Sequence, residues 1–437
     1  MSCGARVNFS RNWAYSPTVM KHKQKSPIPI FDNLTNIGNP FQRKLFVVDT
    51  FFSDTEIITG ASLDYEFALK FLYSYNGSSA TFNSYRREIE RLIQWSWFIH
   101  KRSAILLQRE DIEDFISFCI DPPITWIGTK NVARFKNRDG ERVPNKEWRP
   151  FVSTVSKTEF RSGKTPTEKG FVFSQSAIKA IFTVLGSFYG YMFEEGLTES
   201  NPVALIRQKS KYVRKDQNQA IVRRISNLEW DYVLETAELM AAEEPEHERT
   251  LFIMNCLFAM YLRISELVAD ERSFPVMGNF KKDHDGNWWL HVVGKGNKSR
   301  TVTVCEDMLK ALKRYRQYLG LTPLPTPDDQ TPILSKTLGK GPMKSVRHVR
   351  VIVQNCFDNA FERMKEDGLE EDAISLRAAT VHWLRHTGIS EDVKNRPREH
   401  VRDDAGHGSM QTTDRYIESD ARERHESGKH KPVRELE

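Results

Sequence analysis

His382-Trp383-Leu384-Arg385-His386, followed in the same stretch by Gly406-His407-Gly408-Ser409-Met410-Gln411-Thr412-Thr413-Asp414-Arg415-Tyr416, is a run of imidazoles, a guanidinium and a phenol. No cluster of carboxylates or cysteines stands beside it, so the stretch reads as a site that handles phosphate without a metal. His382 and Arg385 are three residues apart. On a helix they share a face, with Cβ atoms roughly 5–6 Å apart, and both can donate to one phosphate. Thr412 or Thr413 can cap a short helix that places Tyr416 in its first turn, although a tyrosine there is ordinarily a packing residue.

Two further stretches supply what this run lacks. Arg263 falls in an apolar segment read as one helix from Glu248 to Val268, where a guanidinium is expensive unless it is paired. Glu266, three residues on, is the supporting partner, and a buried structural salt bridge is the plain alternative. Lys295 stands at a hairpin tip between Gly294 and Gly296, a place where a lysine is usually decoration. Together these residues cover what phosphoryl transfer requires: a nucleophile, cations around the non-bridging oxygens and an acid for the leaving oxygen. Tyr416 can attack phosphorus, Arg263, Arg385 and His407 can hold the oxygens, and Lys295 can protonate the departing alkoxide. A covalent phosphotyrosine conserves the energy of the broken bond, so a strand can be rejoined without ATP.

A chain of 437 residues with 39% hydrophobic content is too long for one ordinary core, so two domains with appendages are expected. No apolar run is long enough for a bilayer, and the N-terminus lacks a signal-peptide pattern, which predicts a cytoplasmic protein. Five scattered cysteines without a Cys-x-x-Cys pair give neither a disulfide framework nor a zinc site. No metal and no cofactor is expected. A net charge of +6 permits a nucleic-acid partner without establishing one.

Periodicity predicts a mainly α protein with a small antiparallel β-sheet (α+β). Residues 1–62 read as an irregular arm, and 63–206 as a four-helix module interrupted by an insertion at 122–170. Residues 207–224 read as a basic linker, 225–418 as the second domain and 419–437 as a charged tail suited to a subunit contact. Three short strands are expected at 279–282, 288–293 and 300–304. In the insertion, Lys130, Arg134, Lys136 and Arg138 are interleaved with Trp126, Phe135 and Trp148. That mixture is either a solvated loop or a grip on nucleic-acid backbone. Lys211, Arg214 and Lys215 of the linker are further candidates for phosphate contact.

Arg263-Ile264-Ser265-Glu266, Gly294-Lys295-Gly296-Asn297-Lys298-Ser299-Arg300, His382-x-x-Arg385-His386 and Gly406-His407 followed by Tyr416 resemble, in order and spacing, the tyrosine recombinase family of phage integrases, Xer recombinases and Cre. The resemblance implies a helical core-binding domain and a catalytic domain that clamp duplex DNA carrying specific recombination sites. It also implies a homo-tetramer on paired sites, and accessory DNA-bending or directionality proteins as possible partners. Tyr416 would be the nucleophile, Arg263 and Arg385 the activating arginines, Lys295 the general acid, and His382 and His407 the rest of the pocket. The implied activity is site-specific strand cleavage and rejoining through a 3′-phosphotyrosyl intermediate, in integration or excision of a mobile element of bacterial or phage origin, close to the nucleoid. A type IB topoisomerase-like enzyme and a non-catalytic DNA-binding protein are the alternatives. Three departures stand out: Tyr261 where the family usually has glycine, Asp403-Asp404-Ala405 where an apolar residue often precedes Gly-His, and an insertion at 122–170 longer than the simplest members need.

Overall fold

The structure is a computed structural model that describes residues 27–37, 58–204, 206, 212, 223–271, 273–294, 298–336, 341–414 and 429. The chain divides into two units, residues 1–218 and 219–437.

In the first unit four helices carry the core: α1 (Ala61–Tyr73), α2 (Ser79–Trp95), α3 (Arg109–Ile120) and α4 (Gln175–Glu194). Ser78 and Ser174 cap α2 and α4, each side chain accepting from the backbone N–H three residues on. Ile89, Leu92 and Ile93 of α2, Phe115 and Ile116 of α3, and Leu185 and Phe188 of α4 recur at helical spacing and are fully buried together.

In the N-terminal arm, residues 27–37 dock onto this unit, with Ile30, Phe31 and Ile37 buried in the helical core. The backbone N–H groups of Ile30 and Phe31 donate to Glu90 Oε1 at 2.6 and 3.2 Å. The insertion is also built rather than structureless. Strand β1 (Ile127–Gly128) pairs in parallel with β4 (Phe151–Val152), and β2 (Phe135–Arg138) forms a hairpin with β3 (Glu141–Pro144). The hairpin turns at Asp139 and Gly140, with φ of 51° and 82°, the left-handed pair that a two-residue turn demands. Trp126, Phe135 and Trp148 are buried, so these aromatics pack the fold and offer no face for stacking on a base.

In the second unit, α5 (Asn227–Glu243) starts on a capping box between Ser226 and Glu229. Helix α6 (Glu248–Ala259) follows and stops well short of Val268. Tyr261, at φ 49°, turns the chain out of the helix, so Arg263 lies outside the apolar helix, at the start of a single 3₁₀ turn, Ile264–Glu266. A close crossing marks the place where α6 ends. A Cβ on Gly388 would come within 2.2 Å of the Phe258 carbonyl oxygen, so only glycine lets the two backbones approach.

Strands β5 (Phe280–Lys282), β6 (Trp288–Val293) and β7 (Ser299–Thr303) form an antiparallel sheet in that order. Leu290 pairs with Phe280 and with Val302, which places one buried row on one face. Helices α7 (Glu306–Tyr318) and α8 (Val346–Glu366) complete the core. Three more, α9 (Val381–Asn395), α10 (Arg398–Ala405) and α11 (Met410–Asp414), carry the stretch that opens at His382. Thr412 and Thr413 sit inside α11 and do not cap it. Among the described residues no helix is long and apolar enough to cross a membrane.

Candidate active site

Arg385 is buried on α9, and what holds it is main chain. Its Nη1 donates to the carbonyl of Tyr261, and its Nη2 to the carbonyl of Ala405 at 2.6 Å and to His407 Nε2 at 3.3 Å. A guanidinium has no acceptor, so His407 Nε2 must accept; Nδ1 then carries the proton and donates to Thr413 Oγ1 at 2.9 Å. That tautomer requires a neutral ring. Burial together with the charges of Arg385, Arg263 and Arg300 pushes the His407 pKa down to about 4.

Arg263 reaches the same spot from the 3₁₀ turn. Its Nη2 donates to the Gly406 carbonyl at 3.2 Å and its Nη1 to Glu266 Oε1 at 3.0 Å. Glu266 is buried and shared, because Arg300 of β7 grips both its oxygens at 2.6 and 2.9 Å. Burial opposes ionisation of Glu266, but Arg300, the Arg263 N–H and the Arg263 charge outweigh it and hold the pKa below the usual carboxylate range. One carboxylate therefore serves two guanidiniums while Arg385 rests on carbonyls, and the pocket keeps a positive surplus.

His382 is exposed on α9, one turn before Arg385. The crowding of its ring and the charges of Arg350, Arg385 and Arg263 lower its pKa. His386 is driven down to about 4 by burial, His382, Arg385 and Arg223. All three imidazoles thus combine partial burial with the charge of Arg385.

The turn that presents Gly406 and His407 is fixed by groups the sequence reading did not assign. Gly406 has φ 63°, and a Cβ there would meet Arg300 Cδ at 2.7 Å, so glycine serves both the turn and the close approach. Asp404 is buried, taking the Thr303 N–H at 3.1 Å, the Thr303 hydroxyl at 3.2 Å and Arg396 Nη2 at 2.6 Å. Its carbonyl accepts from Arg300 Nε at 2.8 Å. The acidic departure before Gly-His is thus a tie between α10 and β7. An aspartate set among apolar positions of α10 was the available signal, as was Arg300, which the sequence shows two residues from the buried Val302.

The structure gathers Arg263, Glu266, Arg385 and His407, with His382 beside them. Lys295 and Tyr416 lie outside the described residues, as do Lys211, Arg214 and Lys215. Of the insertion candidates, Lys130, Lys136 and Arg138 are exposed. Arg134 is not available for a backbone grip: it is ion-paired with Glu90 and lies over the Trp148 ring, 4.7 Å from its centroid.

Among the described residues, the second unit brings two arginines and a histidine to one point at the Gly406 turn. Residues 229–423 match the phage integrase family. The match is confined to that segment, which lies within the second unit. Among the chain's relatives is tyrosine recombinase XerC of Chlorobaculum parvum, 24% identical over 242 residues, which cover 53% of this chain and 65% of the relative. Another is tyrosine recombinase XerC of Leptospira interrogans, 27% identical over 235 residues, covering 53% and 64%. The chain thus spans somewhat less than two thirds of the length of these relatives. The fold is similar to that of XerH site-specific recombinase bound to palindromic difH substrate in a post-cleavage complex, with 13% identity, 84% of each chain covered and a TM-score of 0.50.

Proposed function

We propose that the protein is a site-specific DNA recombinase that breaks and rejoins strands through a 3′-phosphotyrosyl intermediate, in integration or excision of a mobile element. The observation that carries this reading is the convergence of Arg263, Arg385 and His407 on the Gly406 turn. Backbone carbonyls orient both arginines without cancelling the pocket's surplus charge, which is the condition for stabilising an oxyanion.

In the proposed reaction the Tyr416 phenol gives its proton to His382 as its oxygen attacks phosphorus and the P–O5′ bond breaks, leaving a 3′-phosphotyrosyl bond and a free 5′ hydroxyl. Lys295 gives its proton to the departing oxygen. Attack by a 5′ hydroxyl from another strand reverses the step, and no bond energy is lost. The relatives are named as recombinases and the XerH structure contains a recombination site. Duplex DNA with paired recombination sites, bound by a homo-tetramer, is accordingly the proposed substrate and assembly.

The test is incubation with a nicked suicide duplex carrying the cognate site, read on a denaturing gel. A covalent adduct that disappears in Tyr416→Phe is expected. Binding to a verified site without any adduct would leave only a DNA-binding protein, and site-independent relaxation of supercoils by a monomer would leave a topoisomerase.

A further inference from the structure

Arg385 is held by two carbonyls from segments far apart in the chain: Tyr261, just past α6, and Ala405, at the end of α10. The distance between those carbonyls sets where the guanidinium points. Neither is part of a regular hydrogen-bonded ladder that would fix it. Tyr261 has φ 49°, a conformation that costs a non-glycine residue on the order of 1–3 kcal/mol unless its surroundings enforce it.

One side chain spans both segments. Arg396, in the short connection between α9 and α10, donates Nη1 to the Tyr261 hydroxyl at 3.0 Å and to Asp392 Oδ2 at 2.9 Å. Its Nη2 donates to Asp404 Oδ2 at 2.6 Å, and Asp404 immediately precedes Ala405. The Tyr261 hydroxyl also donates to Asp392, so its side chain is tethered from both sides. Through its second oxygen Asp404 is pinned to Thr303 of β7. Each residue that supplies a carbonyl to Arg385 is thereby tied, directly or through its neighbour, to Arg396.

We propose that Arg396 is a positioning residue for Arg385: its planar fork fixes the gap between the Tyr261 and Ala405 carbonyls, and Tyr261 is the second member of the same device. This inference rests on the recombinase reading and adds a role to residues outside the reacting set. A fork is needed because three acceptors lie in different directions around one group, which a lysine ammonium on a flexible stem does not match.

The experiment compares single-turnover adduct formation on two suicide duplexes, one with an ordinary scissile phosphate and one with a methylphosphonate there. The methylphosphonate has no negative charge, so its cleavage depends less on a correctly aimed guanidinium. Wild type, Arg385→Ala, Arg396→Met, Arg396→Lys and Tyr261→Phe are measured, each with its affinity for the site. Arg385→Ala sets the pattern, losing ~10²–10³-fold on phosphate and much less on methylphosphonate. Arg396→Met is expected to follow it with a loss on the order of 10²-fold on phosphate, unchanged site affinity and a smaller loss on methylphosphonate. Arg396→Lys should recover part of the rate, and Tyr261→Phe should show the same selectivity with a smaller loss.

Equal impairment of Arg396→Met and Tyr261→Phe on both substrates, or loss of site affinity in step with rate, would reduce the network to ordinary stability and overturn the inference. If Arg396→Met does not fold, Tyr261→Phe, which removes one oxygen atom, decides alone. Absence of any wild-type adduct on a verified site would instead sink the recombinase reading, and the inference with it.

Discussion

Two pairs of arginines illustrate opposite uses of the same side chain. In the first unit, Arg134 ends on Glu90 and Arg142 on both oxygens of Asp32, a separate carboxylate for each. In the second, Arg385 ends on carbonyls, and Arg263 divides its donors between a carbonyl and a carboxylate that Arg300 already grips with two bonds. A carboxylate both orients and neutralises a guanidinium; a carbonyl orients it and leaves the charge in place. The first pair therefore fastens residues 27–37 and the insertion hairpin onto α2. The second pair leaves its charge in place, and that charge adds to burial in lowering the pKa of the histidines around it.

Arg263→Ala presses hardest on this contrast. Removing a cation poised for the charge that develops on a non-bridging oxygen should slow adduct formation on the suicide duplex by ~10²–10³-fold while the protein stays folded. A loss of folding comparable to the loss of rate would place Arg263 with the structural arginines.

Arg134→Met makes the reciprocal case. Glu90 is fully buried, and stranding it without its cation should cost about 3 kcal/mol of stability, read from the urea midpoint. Binding of DNA by the protein that remains folded should keep its wild-type salt dependence. A flattened salt dependence with an unchanged midpoint would return Arg134 to the phosphate-binding set.

The same contrast explains what could be read before the fold was known. Helical spacing located α2, α3 and α4 because each buries one continuous stripe, and Asp283-His284-Asp285-Gly286 marked the β5–β6 hairpin, where Asp283 accepts the backbone N–H groups of Asp285 and Asn287 at 3.0 and 2.8 Å. Arg263 and Arg385 were legible as a pair because phosphate chemistry needs cations in that pattern. The end of α6 was not legible, since Met260-Tyr261-Leu262 is as apolar as the helix before it. What breaks the helix is Tyr261 at a positive φ beside the close approach of Gly388, a tertiary contact with no local signature. Arg134 was misjudged for a related reason: its partner Glu90 lies on α2, and only the folded chain shows that the two meet.

Acid should expose the burial of two histidines beside the arginines of the second unit. His386 and His407 have native pKa values near 4, below the ordinary 6.5. Between those values the unfolded chain binds more protons than the native one, so this contribution to stability is whole above pH 6.5 and is lost as pH falls toward 4. Denaturant midpoints taken across that window should decline less steeply in His407→Gln and His386→Gln than in wild type. Parallel declines in all three proteins would show that neither ring has a depressed pKa in the folded state.

The smallest expected effect tests the hairpin cations that the first unit does not neutralise at close range. Lys136 meets Glu147 only at 3.5 Å with both side chains exposed, and Arg138 only its neighbour Asp139 at 3.8 Å. Such pairs contribute about 0–1 kcal/mol, so Lys136→Ala should leave the urea midpoint nearly where it was. Under the DNA reading the same substitution should lower the slope of log affinity against log salt by about 1, uniformly across sequences, because a phosphate contact carries no base information. Arg134→Met should leave that slope untouched, so two cations close together in sequence separate cleanly: one changes stability alone, the other salt dependence alone. An unchanged slope in Lys136→Ala, and again in Arg138→Ala, would make the hairpin purely a clasp for residues 27–37, with Arg142 and Asp32 as its working pair.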